Sequence, residues 1–90
     1  MNAYQKAQAG ISLLKSAVLE YLRECGQHGL TNAEIGKALG IYMGHVRHEG
    51  HISRTILAVL EDDGLVHQDP ATKKWFPVRN DNSLAMKTGK

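Results

Sequence analysis

The sequence predicts one small, mainly α-helical domain closed by a β-hairpin: three helices followed by two short strands. Three observations carry this expectation. Apolar residues recur at three- and four-residue steps in three separate segments, and glycines follow the end of each. Two short runs rich in β-branched and aromatic residues then flank a stretch with turn chemistry. The 90-residue length fits a single domain, and 21 residues of Ile, Leu, Val and Phe suffice for a small core.

Each element has its own signal. Residues 1–8 are polar and small, a frayed or helical lead-in to a domain spanning 9–78. From Ile11 the pattern is helical: Ile11, Leu14, Val18, Leu22 and Cys25 form a stripe that Leu13, Ala17 and Tyr21 widen. Gly26 and Gly29 place its end near Gln27. Thr31-Asn32-Ala33-Glu34 has the form of a capping box, in which a hydroxyl and a carboxylate satisfy each other's orphan N–H groups. A short helix bearing Ile35, Ala38 and Leu39 follows, and Gly40 stops it. Residues 42–51 hold two glycines and three histidines without a period, and read as a loop. A third helix starts about Ile52 or Ser53, with Ile52, Ile56, Val59 and Leu60 facing the core and Leu57 at the edge. Gly64 is its expected left-handed cap.

Leu65–Gln68 and Trp75–Val78 read as the strands of a hairpin whose tip is Asp69-Pro70-Ala71-Thr72-Lys73-Lys74. Alternation sends Trp75 inward and leaves Phe76 partly exposed, and Pro77 puts the second strand's end at a sheet edge. Residues 79–90 are polar and read as a flexible basic tail.

Composition excludes several classes. Eleven Lys and Arg against nine Asp and Glu give a net charge of +2, which permits a nucleic-acid partner without requiring one. The longest apolar run, Ile56-Leu57-Ala58-Val59-Leu60, falls far short of the roughly 20 residues that span a bilayer. MNAYQKAQAG lacks the apolar core of a secretory signal, and the lone Cys25 fits a reducing compartment, so a cytoplasmic protein is expected. Cys25 falls on the apolar stripe and reads as a buried small hydrophobe. No Gly-rich phosphate loop, HExxH motif or nucleophile elbow is present, so neither an enzyme nor a cofactor is expected. His45, His48 and His51 recur every third residue, yet zinc takes four ligands, usually in close pairs. Surface histidines near phosphates are the favoured reading over a metal site.

Two stretches, GLTNAEIGKALGI (29–41) and HISRTILAVLEDDGLVHQ (51–68), resemble the winged helix-turn-helix family in order and spacing. In that pattern a small strand precedes the second helix, and Ser-Arg opens a recognition helix that leads through Gly-Leu-Val into the wing. The resemblance implies a winged helix: three helices plus a two-stranded wing, with double-stranded DNA as partner and transcription regulation or DNA sensing as the role. It implies that Ser53, Arg54 and Thr55 lie outward near the start of the recognition helix, with Lys73 and Lys74 at the wing tip. Arg47, His48 and His51 lie just before that helix, where phosphates would pass. Arginine pairs bidentately with guanine or phosphate, and exposed lysines suit phosphates without reading sequence. Arg54 paired with Glu49 or Glu61, and Lys73 and Lys74 as a solvated tip, are the bland alternatives. The sequence departs from the family where about ten residues, 42–51, replace the usual turn of three or four. The rival function is a protein-interaction module or homodimer, with Tyr42, Met43 and Phe76 as an apolar patch.

Overall fold

The computed structural model describes residues 1–43 and 49–78. The expectations for His45, Arg47, His48 and the 79–90 tail lie outside the described residues. Three helices, α1 (Ala3–Cys25), α2 (Asn32–Ala38) and α3 (His51–Asp62), precede strands β1 (Val66–Gln68) and β2 (Trp75–Pro77). The chain is thus mainly helical with one antiparallel hairpin, an arrangement compatible with a winged helix.

Capping sets the helix starts. Before α1, the Asn2 side chain accepts the Gln5 N–H at 2.8 Å, and the Gln5 side chain accepts the Asn2 N–H at 3.0 Å. The helix therefore begins eight residues before Ile11, where the apolar stripe starts. The box expected before α2 forms: Thr31 Oγ1 accepts the Glu34 N–H at 3.1 Å, and Glu34 Oε1 accepts the Thr31 N–H at 2.8 Å. Gly64 takes the left-handed conformation expected of it, φ 77°.

The core comprises Val18 and Leu22 of α1, Ile35 of α2, Ile56, Leu57 and Leu60 of α3, and Val66 and Trp75 of the hairpin. Each such side chain contributes about 1.5–3 kcal/mol by leaving water. Val66 pairs with Pro77, His67 with Phe76 and Gln68 with Trp75. Trp75 also bridges to Leu30 on its other side, through Leu30 N–H to Trp75 O at 3.0 Å and Trp75 N–H to Leu30 O at 2.7 Å. Leu30 lies just before α2, and it ties the hairpin to the helices.

Several placements differ from the sequence reading. Leu57, expected at an edge, is fully buried, while Val59 is half-buried. The third helix lies against α1, α2 and β1 at once, so its buried stripe is wide. Cys25 is exposed, because α1 ends there with the stripe already turned from the core. Ile11 and Leu13 are exposed as well. At the end of α3 the Lys15 ammonium of α1 lies 3.0 Å from Asp63, and Leu14 is the first α1 hydrophobic side chain packed on the core.

Candidate nucleic-acid interface

The candidate surface is the outward face of α3 together with the hairpin tip. Consecutive helical residues are 100° apart, so Ser53, Arg54 and Thr55 span too wide an arc to share one face. The structure resolves this by burying Ser53 completely while Arg54 and Thr55 stay exposed, with His51 beside them. The outward assignment of Ser53 is therefore corrected. Its hydroxyl donates to the Gly50 carbonyl at 3.2 Å, and a Cβ on Gly36 of α2 would stand only 2.9 Å from that oxygen. Ser53 is a small residue at the close crossing of α2 and α3.

Gly50 anchors the start of α3. It is buried with φ 91°, and a Cβ there would meet Asn32 Nδ2 at 2.7 Å and the Tyr42 ring at 2.8 Å. Its carbonyl accepts from Asn32 Nδ2 at 3.1 Å and from the Arg54 N–H at 3.0 Å. Its N–H donates to the Met43 carbonyl at 3.2 Å, which closes the base of the long α2–α3 connection. That closure fixes where α3 begins, and with it the positions of His51, Arg54 and Thr55. Being glycine, Gly50 offers no side chain to cap the first-turn amides of α3.

Charge divides α3 along its length. Arg54 and His51 lie in its first turns, whereas Glu61, Asp62 and Asp63 crowd its end. Arg54 makes no ion pair with Glu49 or Glu61 among the described residues. Its guanidinium therefore stands exposed on the half of the helix free of acids. A shallow groove of about 260 Å³, lined by His51, Ile52, Thr55 and Ile56, runs beside it.

The hairpin tip is a built turn. Asp69 accepts the Thr72 N–H at 2.8 Å and the Thr72 hydroxyl at 2.6 Å, with Pro70 at the position that pre-sets φ. The Thr72 hydroxyl, and then its N–H, hold the Asp69 carboxyl below its ordinary range. Lys73 N–H donates to the Asp69 carbonyl at 2.8 Å, and Lys73 adopts φ 66°, a left-handed conformation rare outside glycine. Lys73 is exposed at the tip. Lys74 is half-buried beside Gly29, and its charge is one minor cause of the lowered Glu34 carboxyl. The larger causes there are the Thr31 backbone and side-chain hydrogen bonds. Lys74 thus sits at the junction with Leu30 rather than at the tip.

One cation escaped the sequence reading. Lys37, exposed in the last turn of α2, lies with its ammonium 5.2 Å from the centre of the Tyr42 ring. The lysine five residues before an aromatic across a glycine stop was the only signal for it. Tyr42 is correspondingly half-buried, and Phe76 is half-buried in a stack with His67 at 5.5 Å. Of the three side chains in the expected apolar patch, Met43 alone is exposed; Tyr42 and Phe76 are half-buried. Arg47, Arg79, Lys87 and Lys90, which carry the positive surplus of the sequence, lie outside the described residues together with one acid, Asp81. No family model, curated protein or solved structure matches the chain.

Proposed function

We propose that this chain binds double-stranded DNA, with the first turns of α3 against the major groove and the hairpin tip against the neighbouring backbone. The observation that supports it most is the exposed Arg54, unpaired with either nearby acid and set at the acid-free start of a helix whose opposite face is fully packed. Helices that read DNA present side chains from their first turns to base edges. Lys73, held outward by the Asp69–Thr72 turn, supplies a phosphate contact, and Lys37 on α2 a second. Transcription regulation or DNA sensing is the role that such binding serves.

A protein partner is the second reading, and the apolar groove formed by Ile52 and Ile56 on the same face favours it. Titration of fluorescent duplex DNA with the full chain at several salt concentrations separates the two. The DNA reading requires affinity that falls steeply with salt. Absence of binding at low salt sinks it.

A further inference from the structure

The groove along the first two turns of α3 has an assignable occupant. It is shallow, almost wholly apolar and about 260 Å³ in volume, with walls of His51, Ile52, Thr55 and Ile56. Ile56 belongs to the core, whereas Ile52 is half-buried outside it and Thr55 is exposed. Residues spaced i, i+1, i+4 and i+5 share one side of a helix, so the groove runs from the outward face of α3 toward its packed one. Arg54 stands about 100° round the helix from Thr55, and the cation therefore flanks the groove rather than entering it.

Two properties restrict what can fill it. The first is charge. Residues 51–60 contain no acid, Arg54 is exposed and makes no ion pair among the described residues, and Lys37 is exposed on the neighbouring helix. An anionic partner complements this surface. The second is depth. Protein anchors bind in well-packed pockets closed from water, and a shallow groove suits a smaller group. Thymine's C5-methyl is the apolar group that DNA presents in its major groove, where the other base edges offer donors and acceptors. An apolar wall leaves those polar edges unpaired, at a cost, but accepts the methyl. Resting on the DNA reading above, we infer that the Ile52–Thr55–Ile56 groove seats the C5-methyl of a thymine while Arg54 engages a neighbouring guanine or phosphate. The first two turns of α3 thereby select thymine over cytosine at one position, a preference that phosphate contacts cannot supply.

Fluorescence anisotropy of the full chain with two duplexes tests this. In the first, one strand alternates thymine with guanine and the other cytosine with adenine. The second carries uracil in place of thymine, which removes the methyl and keeps every hydrogen-bonding edge. The natural chain is expected to bind the thymine duplex about fourfold more tightly, the worth of one buried methyl. Thr55→Ser deletes a methyl from an exposed side chain, and it brings that ratio toward one, as does Ile52→Ala. Arg54→Ala weakens binding to both duplexes and keeps the ratio. Circular dichroism confirms that each variant is folded at the assay temperature. Salt-sensitive binding with a ratio near one overturns this inference and leaves the DNA reading standing. A ratio that survives both Thr55→Ser and Ile52→Ala also overturns it, since the methyl then acts through DNA shape or another contact. No binding to either duplex at low salt defeats the DNA reading and the inference together, and leaves the groove to a protein side chain.

Discussion

Replacing Gly50 with alanine tests the joint that positions α3. The left-handed backbone at φ 91° costs an L-residue about 1–2 kcal/mol. The new Cβ would also stand 2.7 Å from Asn32 Nδ2 and 2.8 Å from the Tyr42 ring, and overpacking of this kind costs about 1–3 kcal/mol. Together these give about 2–5 kcal/mol. A domain of this size loses roughly 4–8 °C of Tm per kcal/mol, so Gly50→Ala lowers Tm by at least about 8 °C. Gly40→Ala is the internal control, because Gly40 shares a positive φ of 72° but has nothing within 4 Å of its Cβ position. It incurs the backbone cost of about 1–2 kcal/mol alone. Thermal and urea unfolding followed by circular dichroism measure both. Equal losses in the two variants would refute the packing described at Gly50, and with it the account of how α3 is set.

Three further outcomes follow from the same geometry. Lys73→Gly relieves the left-handed strain, raising stability by up to about 1 kcal/mol while removing a phosphate contact; Tm and DNA affinity should move in opposite directions. Glu34 and Asp69 have lowered carboxyl pKa values, so their contribution to stability is present above the ordinary carboxylate range and is lost as pH falls through the lowered values. Acid unfolding profiles should show this loss beginning below about pH 4.5, and Glu34→Gln or Asp69→Asn should flatten it. Thr31→Ala removes the hydroxyl that caps α2 and should cost about 1 kcal/mol in denaturant titrations.

Much of this architecture was legible because its signals are local. The Thr31–Glu34 box, the glycine at 64 and the Asp-Pro turn each act within a few residues, and each falls where its chemistry placed it. Of the two readings of residues 1–8, frayed or helical, the structure shows the helix, starting at the Asn2–Gln5 cap; periodicity marked only Ile11 onward because Tyr4, Ile11 and Leu13 stand exposed. Ser53 and Leu57 were misplaced for another reason. The phase of α3 depends on where it begins, and that is set by Gly50 meeting Asn32, Tyr42 and Met43, contacts between distant parts of the sequence. Of the candidate site, Arg54, Thr55, His51 and Lys73 are exposed as the reading required. Lys74 is drawn aside by the pairing of Leu30 with Trp75, which no local pattern encodes.

The central claim rests on Arg54, and one measurement addresses it most directly: duplex DNA affinity of the natural chain and of Arg54→Ala between roughly 50 and 200 mM salt, the range over which phosphate contacts show in affinity. The two phosphate contacts of Lys73 and Lys37 give a slope near −1.8 in log affinity, a loss of roughly 12-fold across that range. Arg54→Ala should weaken binding by about 1–3 kcal/mol without moving Tm, since its side chain is exposed and makes no ion pair among the described residues. Affinity indifferent to both salt and Arg54 would contradict the account and leave the face of α3 to a protein partner.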